Sequence, residues 1–185
     1  DPCGGQWAIG YVGLGSLTEG ITAEDQDRHL REWMAWGDKC QRMLWRPNLY
    51  WRNWGLPYLF LERSGRHFKA LAEHSMIGLD VDSLELDFAT QRLQYYVLTQ
   101  LAWNPFASVD AIVADYCRRG FGPAAHAMRR YYELFERAGM RYEQNRDAHH
   151  RNGAAYLAEI VYPEADLAAP DAAVRSAAAA AEPGE

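Results

Sequence analysis

Short apolar runs alternate with helix-like stretches through the first hundred residues of the chain. The apolar runs lie near Trp7–Val12, Met43–Tyr50 and Met76–Asp80. A short and nearly continuous apolar run is typical of a strand that is buried on both faces. A stretch with apolar side chains at helical spacing follows each run. This order predicts three parallel strands that lie side by side and are joined by right-handed crossovers.

Local signals predict where the helices of this part begin and end. Thr22, with Asp25 three residues later, resembles a capping box, and the helix that follows is expected to end near Gly37. A broken helical region comes before Ser75. The clearest helix covers Phe88–Trp103, where apolar residues recur at positions i, i+3, i+4 and i+8.

Only helices are predicted in the second half of the chain. Ser108 can cap a helix that ends at Gly120. Gly122-Pro123 opens the next helix, because proline suits the first helical turn. We expect that helix to end at Gly139.

The C-terminal part changes composition. One more helical segment is expected before Pro163, and from Glu164 onward the chain is rich in alanine, as in a frayed helix or the start of another domain. Three strands are fewer than the 4–6 of an ordinary sheet. The chain also starts with Asp1 rather than Met. Both features lead us to expect an incomplete domain.

Composition excludes several classes of partner. Lys and Arg number 19 against 25 Asp and Glu, which gives a formal net charge of −6. Such a chain offers no basic footprint for nucleic acid or for an anionic membrane surface. No stretch approaches the ~18 consecutive apolar residues of a membrane span. We therefore expect neither a nucleic-acid partner nor a membrane span.

The three cysteines carry no metal or redox motif. Cys3, Cys40 and Cys117 lie far apart, without a CxxC pair or a companion histidine at zinc spacing. An odd number cannot pair fully within the chain, and we expect three buried or idle thiols.

An aromatic segment follows the second predicted strand. It contains Tyr50, Trp51, Asn53 and Trp54, at the carboxyl end of the sheet, where α/β proteins place their binding sites. Flat indole rings can stack on pyranose rings while the amide recognises hydroxyl groups, so these residues are candidate sugar contacts. The alternative is that the tryptophans fill the core.

Carboxylates cluster after the third predicted strand. Asp80, Asp82, Glu85 and Asp87 fall within eight residues. Glycoside hydrolysis needs two carboxyl groups across the scissile bond. Asp80 and Asp82 are therefore candidate catalytic groups and Glu85 a candidate substrate contact. The alternative is a solvated loop that caps the next helix.

Other chemistries lack their motifs. The early glycines miss the dinucleotide fingerprint, since Thr18 stands where a glycine is needed, and there is no phosphate-loop Gly-Lys-Ser/Thr. Neither HExxH nor GxSxG occurs, and the six histidines form no recognisable metal set. We expect no metal and no cofactor.

One set of motifs extends over about Cys3–Ala138 and is most specific over Trp103–Tyr132. It comprises Leu56-Pro57, Gly78, Tyr95-Tyr96-Val97-Leu98, Trp103-Asn104-Pro105, Val109-Asp110, Tyr116, Gly120-Phe121-Gly122-Pro123-Ala124-Ala125 and Met128-Arg129-Arg130-Tyr131-Tyr132. In these motifs the chain resembles a bacterial family of unknown function that is related to α-glucuronidases and other glycoside hydrolases with TIM-barrel catalytic domains.

The resemblance implies a helix-rich α/β fold. Residues 1–105 would be the last βα units of a TIM-type barrel, 106–163 a helical region packed on it, and 164–185 an alanine-rich tail. A whole barrel takes ~250 residues, so the remainder of the same polypeptide would lie upstream. Where the family pattern has a glutamate after the last strand, this sequence has Asp80 and Asp82.

The function expected from these observations is that of a glycoside hydrolase-like protein whose substrate is an oligosaccharide, including one that contains uronic acid. The isolated fragment is expected to be inactive. Two alternatives remain open: a carbohydrate-recognition module without a working acid–base pair, and a purely structural helical module. The resemblance favours an extracellular or periplasmic location.

Overall fold

The computed structural model describes residues 8–11, 23–47, 59–81, 88–144, 159 and 161–181. The elements of these residues alternate at first between strands and helices and are then helical only. They are β1 (Ile9–Tyr11), α1 (Ala23–Gly37), β2 (Met43–Trp45), α2 (Leu61–Ala72), β3 (Met76–Leu79), α3 (Phe88–Trp103), α4 (Val109–Phe121), a 3₁₀ turn (Gly122–Ala124), α5 (Ala125–Gln144) and α6 (Glu164–Ala181).

The three strands form one parallel sheet in the order β1-β2-β3. Ile9 pairs with Met43, and Met43 pairs with Met76. The register between β2 and β3 shifts by one residue at Met43/Leu44, so that Leu44 pairs with Gly78. The prediction of three parallel neighbouring strands, and with it a helix-rich α/β chain, is confirmed, but β2 ends at Trp45 and does not continue through Arg46 and Pro47 towards Tyr50. The handedness of the crossovers stays a prediction.

Two helices cover one face of this sheet. On α2, the ring of Phe68 lies edge-on to the indole of Trp45, with 5.1 Å between centroids. On α1, the fully buried Trp33 donates a hydrogen bond of 2.7 Å from Nε1 to the carbonyl of His74, just after α2. Because α1 and α2 also contact each other, they lie on the same side of the sheet.

The helix boundaries predicted from caps are largely confirmed. Helix α3 has the predicted bounds, and Ser108 caps α4 by accepting a hydrogen bond from the Ala111 backbone N–H at 3.3 Å. Gly122-Pro123 opens a single 3₁₀ turn, after which the α-helix proper begins at Ala125. These helix starts could be predicted because a capping residue or a proline acts on the backbone of its own helical turn.

The prediction that the second of these helices ends at Gly139 is wrong. Helix α5 continues through Gly139 to Gln144. A Cβ at position 139 would lie 2.0 Å from the carbonyl oxygen of Leu59. This glycine therefore permits a close approach of α5 to the backbone that leads into α2, and it does not terminate a helix.

The alanine-rich C-terminal part is a helix packed on α5. Ala124, Ala127 and Ala177 form a small buried cluster between the 3₁₀ turn, α5 and α6. Arg141 of α5 donates a hydrogen bond of 3.0 Å to the carbonyl of Val161 and also binds the Asp166 carboxylate. The two alternatives for this part, a frayed helix and the start of another domain, stay open. The domain boundaries at 105 and 163 stay predictions.

The expectation of three idle thiols is also wrong. Cys40 is disulfide-bonded and fully buried, whereas Cys117 is a free, buried thiol. The remaining cysteine of the sequence, Cys3, lies outside the described residues. Spacing gave no hint of this bond, because a disulfide depends on which backbone positions the fold brings together.

Replacement of Gly139 by alanine should destabilise the chain by about 1–3 kcal/mol, the usual cost of forcing extra volume into a packed site. The clash is with the Leu59 carbonyl, which is backbone and cannot rotate away. Urea unfolding followed by circular dichroism measures the change.

Gly120→Ala is the matched control. Beyond the backbone of α4 itself and the neighbouring residues, no atom of the described residues lies within 4 Å of the Cβ that this substitution adds near the end of α4. Alanine there should be neutral or stabilise the chain by up to about 1 kcal/mol, since alanine is the better helix former. Equal losses at both positions would contradict the close approach of α5 to Leu59.

A thiol titration tests the disulfide. The denatured chain should show three reactive thiols after reduction and fewer before it, and Cys117 should be reactive in both states. Non-reducing gel electrophoresis distinguishes a bond within the chain from one between chains. Three reactive thiols before reduction would contradict a disulfide at Cys40.

Candidate functional site

The carboxyl end of the sheet brings together the residues that follow β2 and β3. The Asp80 backbone N–H donates to the Trp45 carbonyl at 2.9 Å, which keeps the two strands paired to their last residue. Arg46 then donates from Nε to Oδ2 of Asp80 at 3.2 Å. The side chains are 41% and 68% exposed, respectively. Asp80 therefore lies at the carboxyl end of the third strand, with its carboxylate accessible to a ligand.

The first turns of α2 place polar side chains inside the protein, below this edge. Arg63 and His67 are only 3% and 2% exposed. The Arg63 guanidinium carbon lies 3.8 Å from the centre of the Phe60 ring, a cation–π contact. The His67 imidazole lies edge-on to Trp45, the last residue of β2, with 6.2 Å between ring centroids. A buried imidazole thus lies close to the end of β2, and a buried cation lies one turn earlier on α2.

Sequence reasoning gave His67 little weight and did not consider Arg63. The signal was present in the helical spacing, because the buried positions of α2 are 61, 63, 64, 67, 68 and 71. Polar residues occupy three of those core-facing positions, 63, 64 and 67. A polar residue in a core-facing position is costly unless its partners are supplied, and it often marks a specific role.

A closed set of hydrogen bonds fixes the start of α2. Gln94 of α3, which is fully buried, accepts from the Phe60 N–H at 2.8 Å and donates to the Ser64 hydroxyl at 2.9 Å. The Ser64 hydroxyl in turn donates to the Phe60 carbonyl at 2.6 Å. Both groups of the Gln94 amide and both backbone groups of Phe60 are thereby satisfied inside the core.

A second buried amide lies one turn earlier on α3. The Gln91 carbonyl oxygen accepts from the Tyr95 hydroxyl at 2.5 Å. Its Nε2 is buried and has no hydrogen-bond partner within the part of the chain that the structure describes. Helix α3 therefore carries two buried amides, of which Gln94 faces the start of α2.

Six of the seven predicted site residues lie outside the described residues, and their roles stay predictions. They are Asp82, Tyr50, Trp51, Asn53, Trp54 and Glu85. Asp80 is the one of the seven that lies within the described residues. It forms an ion pair with Arg46, a residue that the sequence did not indicate as a site candidate.

The described residues offer little for other chemistries. Among them, no group of three or more histidine, cysteine or acidic side chains could hold a metal ion. Burial raises the pKa of the Cys117 thiol, which makes it a poor nucleophile. None of the described helices combines the length and the apolar composition of a membrane span.

A cavity of about 200 Å³ lies between α2, α4 and α5. At its rim, Arg129 binds the carboxylates of both Asp110 and Glu133. These three charges satisfy one another and link α4 to α5, so the rim is better explained as packing support than as a binding site.

The family assignment rests on a sequence match over residues 12–133, about two thirds of the chain. The chain belongs to DUF4838, a domain family of unknown function. No curated protein and no solved structure matches the chain. The DUF4838 match includes Arg46, Arg63, His67 and Asp80, whereas α6 lies outside it.

A double-mutant cycle with Arg46→Gln and Asp80→Asn should give a coupling energy below about 1 kcal/mol, because exposed ion pairs are screened by water. Thermal or urea unfolding of the two single variants and the double variant measures it. A coupling of about 2 kcal/mol or more would show that this pair serves the fold rather than a ligand.

Proposed function

We propose that the chain is part of a TIM-barrel, glycoside hydrolase-like protein that binds or cleaves oligosaccharides, including those that contain uronic acid. The observation that carries the proposal is the order of the strands in the sheet together with the face on which the helices pack. Strands β1, β2 and β3 are sequential parallel neighbours, and α1 and α2 contact each other on one face. In doubly wound sheets the strand order reverses and helices cover both faces. Sequential order with helices on one side is the arrangement found in barrels.

The other face of the sheet supports the same proposal. Gly10, Leu44 and Gly78 are register partners across the three strands. Leu44 is partly exposed, and Ile77 of β3 is 50% exposed. In a barrel this face would turn inward and be covered by side chains of the other strands.

The proposed site is the carboxyl end of the sheet, where barrel enzymes bind substrate. Asp80 and Asp82 would supply catalytic carboxylate chemistry. Asp80 forms an ion pair with Arg46, which suits a carboxylate that acts as nucleophile or hydrogen-bond acceptor. The second carboxyl group that glycoside hydrolysis needs would then come from another strand. The proposed substrate contacts, outside the described residues, are Tyr50, Trp51, Asn53, Trp54 and Glu85.

The relation to bacterial α-glucuronidases is also part of the proposal and rests on the sequence resemblance. The disulfide at Cys40 supports the extracellular or periplasmic location, because disulfides persist in oxidising compartments.

A carbohydrate-recognition module without catalysis is the second candidate, since the ion pair with Arg46 also allows Asp80 a purely binding role.

Steady-state kinetics of the full-length protein on a panel of uronic-acid and neutral glycosides test the proposal. Loss of a carboxylate that acts as acid, base or nucleophile, in Asp80→Asn or Asp82→Asn, should lower kcat by ~10²–10⁴-fold. Trp51→Ala and Trp54→Ala should mainly raise KM, because stacking stabilises ground state and transition state alike.

Asp171→Asn is the matched control. Asp171 lies on α6 and is, like Asp80, an exposed carboxylate that forms an ion pair with an arginine, here Arg175. It should leave both constants unchanged. Wild-type turnover in both Asp80→Asn and Asp82→Asn, with intact folding, would contradict a catalytic role. Glycan binding by calorimetry without turnover would favour the recognition module.

A further inference from the structure

Helix α2 begins without a cap of its own. Its N-cap residue is Phe60, whose side chain makes no capping hydrogen bond and contains no acceptor. The N–H groups of the first helical turn have no acceptor within the helix and must be satisfied from elsewhere.

The acceptor comes from α5, more than 70 residues away along the chain. Glu136 accepts from the Leu61 N–H through Oε2 at 2.8 Å and from the Glu62 N–H through Oε1 at 3.1 Å. One carboxylate therefore binds two consecutive N–H groups at the positive end of the α2 dipole.

Two further contacts from the same side of α5 fix the residue before the cap. The Leu59 N–H donates to the Phe135 carbonyl at 3.0 Å. The Leu59 carbonyl lies so close to Gly139 that no side chain fits between them. Backbone groups of four consecutive residues, 59 to 62, are thus held by α5 or by Gln94 of α3.

This anchored backbone lies directly before the buried polar side chains of the candidate site. Arg63 and His67 follow it within the first two turns of α2, and His67 reaches Trp45 at the end of β2. Along the chain, the segment that contains Tyr50 to Trp54 leads into it.

We infer that Glu136 is a positioning residue for the candidate ligand site. Its carboxylate holds the first turn of α2 in place and so determines where Arg63 and His67 stand relative to the carboxyl end of the sheet. The identity of the ligand in this inference rests on the proposed function. The contact between Glu136 and the first turn of α2 does not depend on it. The helical region after β3 thereby takes part in building the site.

Hydrogen–deuterium exchange of the chain tests the contact without a ligand. Glu136→Gln keeps the size of the side chain but replaces one acceptor oxygen by an NH₂ group, which cannot accept from a backbone N–H. Exchange in peptides covering residues 59–64 should accelerate about tenfold, the effect of losing an ordinary cap. Peptides covering α4 should be unchanged.

Two control variants test whether the effect depends on the position of Glu136 rather than on the loss of a charge or of overall stability. Glu133→Gln removes the same charge one turn earlier on α5, where the carboxylate binds Arg129. Arg141→Gln removes the contacts of α5 with Val161 and Asp166, away from α2. Neither should alter exchange in residues 59–64. If Glu136→Gln does not fold, Glu136→Asp replaces it, because its shorter side chain keeps the charge but reaches less far.

Calorimetric titration with a uronic-acid-containing oligosaccharide and a neutral one, on the full-length protein, forms the second arm. Glu136→Gln should weaken the affinity about tenfold, whereas Arg141→Gln should leave it unchanged even if it lowers the melting temperature. Exchange that is unchanged in residues 59–64, or that rises evenly along the chain, overturns the inference. So does wild-type glycan affinity in Glu136→Gln. If the wild-type protein binds neither oligosaccharide, the proposed function fails, and the exchange result still decides whether Glu136 positions α2.

Discussion

The contact between the Glu136 carboxylate and the first turn of α2 is the constraint on which the arrangement of this chain depends. A helix that follows Leu59 and Phe60, two buried apolar residues, has no capping side chain of its own. The N–H group of Leu61 cannot reach water easily, because Leu61 is itself buried. The acceptor has to be supplied by another helix, and α5 supplies it.

The interior near the carboxyl end of the sheet is polar to a degree that stability alone does not require. Arg63, His67, Gln91 and Gln94 are all buried. Burying such groups costs free energy even when their hydrogen bonds are supplied, and an apolar core of the same shape is often as stable. By contrast, the exposed pair of Arg46 and Asp80 adds little to stability. Both features are compatible with the proposed ligand site, in which buried polar groups would hold a rigid arrangement and accessible charges would meet the ligand.

The strands are only three or four residues long, and the sheet depends on its helices. Trp33, Met43, Trp45 and Phe68 join α1, α2 and the strands in one buried cluster. A parallel sheet of this kind is normally covered on both faces. One face here is covered by helices, while Ile77 on β3 remains half exposed. This asymmetry is what the proposed barrel explains, since the second face would then be the barrel interior.

The sequence by itself determined the elements of this protein, because their signals are local. Three apolar runs marked the strands, helical spacing marked α3 with its correct bounds, and Ser108 marked the start of α4. Each of these signals involves residues a few positions apart, which hydrophobic periodicity and capping record directly. Asp80 was also placed correctly at the end of a strand, since the residue after a strand lies at the edge of the sheet.

Only the tertiary structure decided how the elements meet. Gly139 looked like a helix end, because the local pattern cannot show that another backbone passes 2 Å from where its Cβ would be. The local pattern does not reveal the role of Glu136 as the cap of α2, because that role depends on a partner 75 residues away. Arg63 and His67 stood at core-facing positions, but which groups surround them is set by packing. Contacts between residues that are distant along the chain produce no periodic pattern in the sequence. They can therefore be identified only once the fold is known.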